Sequence, residues 1–526
     1  MRMRPIPLLL SLSVIMTACS VGPNFRESDA KTPDRWQDLR RSQNAADDSR
    51  VPHASSPSVV DPSSDPDPRW WTSFRDATLN SLINRAVSGN LNLQSAVLRI
   101  TIAREQAIEA GAQGLPQLSA NASVMREQLG IKGILKSEGV YDKINGLGAP
   151  NSALNQQQAG AGTQVQTAAI NGLNQLSQPV TLFQDGFDAS WELDLFGRVR
   201  RSVESANAQT QAEVESRNDA LVSLEAEVAQ TYSQLRGAQL LKQITLAEID
   251  HEQQILDLTR EQARVGLTSQ SDVQSATAQV GGLQAQLPQF DAQIAQAMNG
   301  LAVLVGEAPG TLDAELEAVN NSAEAVRPIP PSVPIGLPST LARRRPDIRR
   351  AEAQLHAATA EQGVAVAQLY PDISLTGQVG TRATKARYLG HWSSLFWSVG
   401  PSISLPIFEG GALRANVRIA NAQAQSAALQ YRQTVLSALQ DVDNALVNYR
   451  TEQDRREALL RTVEANRVNL QLATDSYRKG LVTFISVLDA ERQLAQTRQQ
   501  LAQSTVNVTT DLISVYKSLG GGWQSS

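Results

Sequence analysis

The chain has 526 residues, a formal net charge of -5, a sequence isoelectric point of about 5.6 and one cysteine. This acidic balance argues against a nucleic-acid-binding protein, whose partner requires a basic surface, and the single cysteine excludes disulfide bonds within the chain. The mean hydropathy of -0.25 and the lack of a spanning apolar run after the N-terminal segment argue against a helical membrane protein.

The N-terminus has the pattern of a bacterial export signal. A short apolar run at residues 8–16 follows two arginines and precedes the sequence TACS at positions 17–20. The run is shorter than a membrane span of about 20 residues, so it indicates a cleavable signal. Small residues before Cys19 resemble a lipobox, which predicts removal of residues 1–18 and a covalent lipid on Cys19. Serine directly after the cysteine, at position 20, is typical of lipoproteins that are sent to the outer membrane. The alternative is an ordinary signal peptide with an incidental cysteine.

Residues 19–69 are predicted to form an extended, lipidated N-terminal arm. The segment 26–68 is rich in Ser, Asp and Pro and poor in large apolar side chains, so it cannot bury enough surface to fold alone. Ordered structure is expected to begin near Trp70. Apolar residues at helical spacing over positions 79–87 predict a first helix, and Leu91–Ala112 is predicted to be a second helix.

The rest of the chain is an internal duplication. The sequence ANAQ at 206–209 recurs at 420–423, and Arg264-x-Gly266-Leu267 recurs at the same offset as Arg478-x-Gly480-Leu481. A duplication of this length predicts two copies of one unit, each running helix, strand, strand, long helix, turn and helix. The copies are assigned to residues 70–306 and 339–520, with a proline-rich linker at 307–338 and a tail at 521–526.

Four segments alternate apolar and polar residues and predict β-strands with one apolar face. They lie at 118–124, 187–195, 373–379 and 395–407, and the Gly-, Asn- and Gln-rich segment 126–178 is expected to be a long, exposed, irregular insert. One interpretation is a half-buried sheet in a soluble domain. The outer-membrane signal favours a second interpretation, a membrane-spanning sheet to which several chains contribute strands. A sheet in lipid must close on itself, and bacterial single-chain barrels need at least about eight strands. Three chains with four strands each would give a barrel of 12.

Two long helices are predicted as well. Only Gly237 interrupts the stretch between Gly197 and Gly266, and 413–480 is the matching stretch of the second copy. Coiled-coil spacing indicates that one face of the first helix is buried; the residues on that face are Leu221, Leu224, Val228 and Leu235. Gln-rich faces suit helices that are wet on both sides, as in the wall of a duct. A plain coiled-coil stalk would show the same pattern, but it would not need four amphipathic strands.

Several motifs are distinctive when they are taken together. They are ACSVGPNF at 18–25, WWTSF at 70–74, SWELDLFG at 190–197, LPS at 337–339, RRRPDI at 343–348, YPDISL at 370–375 and GGGW at 520–523. In this combination the chain resembles the TolC-type outer-membrane efflux factors, specifically the NodT-type lipoproteins.

The resemblance implies a mainly α-helical homotrimer with a 12-stranded transmembrane β-barrel on a long periplasmic α-helical barrel. An equatorial belt would come from the linker 307–338 and the C-terminal segment. The resemblance also implies an outer-membrane location, lipid-anchored and spanning, that extends into the periplasm. The implied partners are a periplasmic adaptor protein and an inner-membrane pump.

The same resemblance assigns roles to the two repeated turns. The periplasmic tips that meet the adaptor would be Gly266, Leu267 and Thr268 in one copy and Gly480, Leu481 and Val482 in the other. The alternative is two bare turns, because glycine suits the end of any helix.

Beyond the tips, the resemblance places a closed periplasmic aperture, where a symmetry axis would bring three copies of each carboxylate together. Some family members carry a second aspartate where Ser486 stands and an arginine where Val482 stands, so an ionic lock through these two positions is disfavoured. The alternative is that the acids cap helices or are solvated. The residues assigned to the aperture are Ser271, Asp272, Tyr477, Ile485, Ser486 and Asp489.

No catalytic site, metal site or nucleic-acid site is expected. His251-Glu252 begins like a zinc-hydrolase helix, but position 255 is isoleucine and no second histidine follows. No phosphate-binding loop or nucleophile elbow is present, and the arginines at 343–345 indicate a solvated helix start. The sequence therefore predicts a passive efflux duct for small molecules, with no cofactor except the lipid on Cys19. A duct for type I polypeptide secretion and a non-pore coiled-coil lipoprotein are the alternatives.

Overall fold

The structure is a computed structural model that describes residues 20–27, 32–37, 58–128, 130–176, 178–317, 330 and 332–523. The predicted signal segment, Cys19 and residues 524–526 lie outside the described residues. The chain forms two compact units. The strand unit combines the described residues within 20–22, 109–202 and 363–416, and the helical unit combines the described residues within 23–108, 203–362 and 417–523. Each unit takes parts of both sequence repeats, so the repeat boundaries stay predictions.

Helices dominate the chain, and strands are few. The α-helices are α1 (Ala77–Gly89), α2 (Leu91–Ala112), α3 (Ile131–Ser137), α4 (Val140–Leu147), α5 (Ala153–Gln157), α6 (Ala161–Leu176), α7 (Arg198–Arg264), α8 (Gln270–Gln284), α9 (Leu287–Val305), α10 (Asp313–Leu316), α11 (Leu341–Arg344), α12 (Pro346–Ala367), α13 (Ala412–Arg478) and α14 (Phe484–Ser518). The strands are β1 (Val59–Asp61), β2 (Gln117–Glu127), β3 (Val180–Glu192), β4 (Ser332–Pro334), β5 (Asp372–Ala383) and β6 (Leu395–Ser404).

The four predicted amphipathic strands form one antiparallel sheet in the strand unit, in the order β2-β3-β5-β6. The hairpin of β2 and β3 pairs Gln117 with Ser190 at one end and Glu127 with Val180 at the other. The side chains of β2 are exposed on both faces along almost its whole length. Within one chain the sheet therefore has two open edges, β2 and β6.

Two of the predicted strands extended too far at their C-terminal ends. β3 ends at Glu192, so Leu193 and Leu195 lie beyond it, where the chain turns towards α7 at Gly197 with φ of 85°. β6 ends at Ser404, before Leu405 and Ile407. Pro406 follows directly, and a proline has no amide hydrogen to continue a strand ladder.

The insert between β2 and β3 was expected to be irregular, and this prediction was wrong. It folds into four short helices, α3 to α6, which pack on one another. Gly130 and Gly139 separate the first helices, because they precede α3 and α4 with φ of 63° and 66°. Other glycines of the insert lie inside the helices: Gly133, Gly146, Gly162 and Gly172. The Ala, Leu and Gln residues between these breaks are good helix formers, which the overall composition of the segment concealed.

The two long helices are confirmed. α7 and α13 each have 67 residues and begin and end at corresponding positions of the duplication. The predicted second helix, α2, has the expected bounds. Among the described residues, none of the helices combines the length and the apolar character needed to cross a membrane.

The core of the helical unit is built from helices that are far apart in sequence. The four residues predicted to lie on the buried face of α7, from Leu221 to Leu235, are all buried. Trp70 stacks on Tyr516 of α14 with ring centroids 5.2 Å apart. Gly237 of α7 faces α14, where an added Cβ would lie 2.7 Å from a methyl group of Val506. The glycine therefore allows close helix packing and does not break the helix.

The described segments of the N-terminal arm contact the described part of the linker at two places instead of extending freely. The Trp36 side chain is 1% exposed, and its Nε1 donates a hydrogen bond of 2.9 Å to the Gly336 carbonyl. β1 and β4 form a parallel pair with Val60 opposite Val333. Strands of three residues carry no periodic pattern, so sequence analysis did not find this pair.

We expect Gly380→Ala to weaken the pairing of β3 with β5. Gly186 and Gly380 lie opposite each other, and a Cβ on Gly380 would lie 2.2 Å from the carbonyl oxygen of Asp185. A forced backbone shift of this kind typically costs about 1 to 3 kcal/mol. Gly400→Ala on β6 is the control, because a Cβ there meets nothing within 4 Å. Thermal unfolding of the detergent-solubilised protein measures the difference, and equal midpoints for the two variants would contradict the expectation.

Candidate functional site

The first repeated turn, between α7 and α8, is closed by two backbone hydrogen bonds. The Gly266 amide donates to the Ala263 carbonyl at 3.1 Å, and the Leu267 amide donates to the Gln262 carbonyl at 2.8 Å. This pair of bonds defines a Schellman motif, which requires a left-handed residue after the helix. Gly266 supplies that residue with φ of 76°.

The second repeated turn, between α13 and α14, has the same geometry. The Gly480 amide donates to the Tyr477 carbonyl at 2.8 Å, and the Leu481 amide donates to the Ser476 carbonyl at 2.9 Å. Gly480 has φ of 72°. The duplication has therefore preserved the turn chemistry as well as the helix lengths.

Both tips present apolar side chains to solvent. Leu267 and Leu481 are 77% and 72% exposed, and Val482 is also exposed. A Cβ on either turn glycine would meet nothing within 4 Å. Each turn is closed by two backbone hydrogen bonds, and its outer surface is open and can contact another protein.

Asp272 has a defined structural role at the start of α8. Its carboxylate accepts hydrogen bonds from the hydroxyl groups of Thr268 at 2.7 Å and Ser269 at 2.8 Å, and from the Ser269 amide at 3.1 Å. The Asp272 amide donates to the Ser269 hydroxyl in return, which completes a capping box. The hydrogen bonds from Thr268 and then Ser269 lower the pKa of Asp272, so this carboxylate is charged at neutral pH.

The corresponding start of α14 is built differently. Thr483 stands at the N-cap position without a side-chain hydrogen bond to the helix, and Ser486 occupies the position of Asp272. Asp489, one turn further on, forms an exposed ion pair of 2.6 Å with Arg492. Ile485 and Ser486 are both exposed. No hydrogen bond or ion pair joins Asp272 to Asp489 among the described residues.

Tyr477 connects the two tips within one chain. Its hydroxyl donates a hydrogen bond of 2.9 Å to the Gln262 side-chain oxygen at the end of α7. Its ring lies against Phe484 at the start of α14, with centroids 5.5 Å apart. Tyr477 thus contacts both helical hairpins.

Three buried glutamates form a cluster that sequence analysis missed. Glu248 and Glu252 lie one turn apart on α7, and Glu491 lies on α14. Glu252 is 4% exposed and Glu491 is 8% exposed. Each of the three has one carboxylate oxygen with no hydrogen-bond partner in the described part of the chain. The other contacts are polar: His251 Nε2 lies 3.3 Å from Glu491 Oε1, and the Gln499 amide donates to Glu248.

Burial controls the ionisation of this glutamate cluster. It raises the pKa of Glu252 to about 7, and the nearby Glu491 and Glu248 add to that rise. Burial also raises the pKa of Glu491 to about 7 and raises that of Glu248. The described residues contain no group of His, Cys, Asp and Glu side chains suited to a metal ion. Glu252 and Glu491 therefore gain their charge near neutral pH.

We expect Glu252→Gln and Glu491→Gln to reduce the pH dependence of stability. Both folded pKa values, near 7, lie above the unfolded value of about 4.3. The stabilising contribution of the protonated groups is therefore complete below about pH 4 and is lost as the pH rises through 7. Between pH 5 and pH 8 each variant should lose less stability than the parent, by about 1 to 3 kcal/mol.

Thermal unfolding of the detergent-solubilised protein at stepped pH measures this difference. Glu261→Gln is the matched control, since Glu261 lies on the same helix with its side chain 65% exposed. The same pH slope in the parent and in all three variants would show that the cluster does not titrate in this range.

Comparison with known proteins identifies the family. The sequence profile of the outer membrane efflux protein family matches residues 82–307 and 337–521. Nodulation protein T of Rhizobium leguminosarum bv. viciae is 29% identical over 512 residues, covering 97% of this chain and 92% of that protein. The probable efflux pump outer membrane protein TtgC of Pseudomonas putida is 30% identical over 521 residues, covering 98% of this chain and 96% of that protein. The solved outer-membrane channel OprN has a TM-score of 0.76 and 32% identity over 96% of this chain and all of that chain.

The chain belongs to the outer membrane efflux protein family, and its fold is that of the TolC-like channels. It is an outer-membrane efflux channel that extends into the periplasm. Channels of this family work as trimers together with an adaptor and an inner-membrane pump. The predictions of family, fold class, location and efflux function are therefore confirmed. The predicted roles of individual residues at the tips and the aperture stay predictions.

Proposed function

We propose that the chain forms the exit duct of a tripartite efflux system and passes small molecules passively from the periplasm to the exterior. The main support is the pair of matching, exposed hairpin tips. Both tips lie in the parts of the chain that the family profile matches, residues 82–307 and 337–521. The sequence has no phosphate-binding loop or nucleophile elbow, so the pump supplies the energy and the duct performs no catalysis. The name of the relative TtgC favours efflux over polypeptide secretion.

The tips are proposed as the contact with the periplasmic adaptor. Leu267 and Leu481 stand at the same position of two identical turns and are mostly exposed. An exposed apolar side chain on a rigid turn can enter a pocket of a partner without losing much conformational freedom. Three chains would present six such tips, which suits an adaptor that also binds in several copies.

We expect Gly266→Val and Gly480→Val to abolish efflux while the protein remains in the outer membrane. A β-branched residue at φ near +75° costs roughly 1 to 2 kcal/mol and distorts the turn. Gly480→Asn is the control for the backbone, because asparagine adopts the left-handed conformation more readily. Leu481→Asp keeps the turn and should also reduce efflux by removing the apolar contact.

Drug susceptibility of cells that depend on this channel measures efflux, and immunoblots of outer membranes measure the amount of protein. Wild-type resistance in the Leu481→Asp cells and in both valine variants would rule out adaptor docking at the tips.

The acids beside the tips are proposed to narrow the closed aperture. Asp272 is held in one position by Thr268 and Ser269 and is charged at neutral pH. Asp489 is exposed in the second turn of α14 in the other hairpin, one helical turn after the exposed apolar Ile485. In a trimer, three copies of each carboxylate would surround the axis, where they repel one another or bind cations. The capping role of Asp272 and a gating role are separable, because only gating needs the charge.

Asp272→Asn and Asp489→Asn should increase the frequency of channel opening and weaken block by divalent cations. Asparagine at 272 keeps an acceptor for Thr268 and Ser269, so the cap survives while the charge is lost. Asp257→Asn is the control for a general change of charge, because the Asp257 side chain is exposed on α7 two turns before the tip. Single-channel recordings in planar bilayers decide the question. If only Asp272→Ala, which also breaks the cap, changes the channel, the carboxylate caps the helix and does not gate.

A covalent lipid on Cys19 is proposed as the anchor of the N-terminal arm. The support is the lipobox-like sequence and the export signal before it. We expect Cys19→Ser to remove the lipid and to block cleavage after residue 18, since lipoprotein processing requires the cysteine. Mass spectrometry of the purified protein measures both effects. A mutant with the same mature mass as the parent, apart from the oxygen-for-sulfur change, would exclude Cys19 as the lipidated residue.

A further inference from the structure

The helical insert α3 to α6 lies at the end of the sheet that is remote from the long helices. α2 leads into β2 at Gln117, and β3 leads towards α7 after Glu192, so both helices attach at one end of the hairpin. Glu127 and Val180 form the last pair at the other end, and the insert connects them. Because the long helices of an outer-membrane efflux channel are periplasmic, the insert lies at the external mouth.

The insert is an ordered body and not a loose loop. The Asn155 side-chain amide donates to the carbonyls of Gly148 and Ala149 at 3.2 and 3.0 Å. The Asn155 side-chain oxygen accepts a hydrogen bond of 2.8 Å from the Gly162 amide. Gly162 is buried, and a Cβ there would lie 2.1 Å from the Leu147 carbonyl. One asparagine thus fastens the start of α6 to the end of α4.

The first two helices of the insert carry charged residues, and the last two carry none. α3 and α4 carry charged residues, including Lys132, Lys136 and Lys143. No charged residue occurs between Lys143 and Asp185, so α5 and α6 have none. Charged residues make up 19% of the whole chain, and an exposed external segment of this length would ordinarily contain several of them. An environment that disfavours charge is therefore indicated for α5 and α6.

The dimensions of a 12-stranded barrel determine how close the inserts of three protomers lie to one another. A barrel of 12 strands spaced about 4.8 Å apart and tilted by about 40° has a diameter of roughly 24 Å. A compact body of the length of the insert has a radius of gyration of about 9 to 10 Å, hence a diameter of roughly 25 Å. Three such bodies centred on the rim would stand only about 21 Å apart, by the same dimensions. They must touch one another above the mouth.

We propose that α5 and α6 of the three protomers meet at the threefold axis and close the external mouth of the duct. The partner of this surface is the same surface on the second and third copies of this chain, and the inference rests on the trimeric duct proposed above. A threefold axis places identical residues against each other, so any charge on this surface would face its own copies. An uncharged surface avoids that repulsion.

The exposed side of α6 is suited to such a contact. Gln164, Ala168, Gly172 and Gln175 follow one another along one side of the helix and are exposed. A Cβ at Gly172 would meet nothing within 4 Å, so this glycine is not explained by packing within the chain. Small residues allow two helices to approach closely, and the glutamine side chains can hydrogen bond to their own copies.

Ala168→Cys in the full-length protein tests the contact. The only other cysteine is Cys19, which the proposed lipid would block. Oxidation of intact cells should give a disulfide-linked dimer, because one cysteine per protomer pairs once and leaves the third free. Lys136→Cys on the charged helix α3 is the matched control and should stay monomeric. If Gln164→Cys, Ala168→Cys and Gly172→Cys all fail to cross-link, the proposal is overturned.

Single-channel recordings test the closure itself. Oxidation of the Ala168→Cys trimer should cause a loss of conductance that a reductant reverses, and the Lys136→Cys trimer should not respond. Replacing residues 128–179 with an Asn-Gly turn, which suits a two-residue hairpin, should increase the conductance of the channel. An unchanged conductance in the shortened channel would overturn the closure. A parent protein that is monomeric or does not conduct would contradict the proposed duct and not this inference alone.

Discussion

The open edges of the four-stranded sheet are the constraint on which the rest of the protein depends. Within the described sheet, β2 and β6 are each paired on one side only. Lipid offers no hydrogen-bond partner, and each unpaired backbone group there costs several kcal/mol. When β6 of one protomer pairs with β2 of the next, three chains leave no edge. Assembly is therefore a condition for closing this sheet in lipid.

The duplication explains why the two hairpins are alike in backbone and different in charge. α7 and α13 have equal lengths and end in the same turn, because the turn requires a glycine at one position in each copy. The side chains beyond the turn are not constrained in this way. One copy caps its next helix with Asp272, and the other has Ser486 there and an acid at position 489. An aperture built from these hairpins would alternate two different carboxylates around its axis.

The elements that sequence analysis predicted best are those with a local cause. α2 has the expected bounds because Asn90 caps its start, with its side-chain oxygen accepting a hydrogen bond from the Leu93 amide. The strands were recognised by their alternation, but the start of β3 was missed because Leu182 and Phe183 interrupt the pattern. The helices of the insert were missed because its composition was read as a whole. The glutamate cluster could not be predicted, since Glu491 reaches Glu252 only through the packing of α14 on α7.

Charge near a symmetry axis requires a partner in its own chain, and this rule connects the candidate aperture with the external insert. Asp272 is compensated by two hydroxyl groups and a backbone amide, and Asp489 is compensated by Arg492. Each carboxylate can therefore face its copies at a moderate cost, and a bound cation or a conformational change can shift that balance. α5 and α6 contain no cation to pair with an acid and no acid to pair with a cation. A surface without internal compensation is stable against its own copies only if it carries no charge, so α5 and α6 can lie at the proposed threefold contact without a cation to balance them.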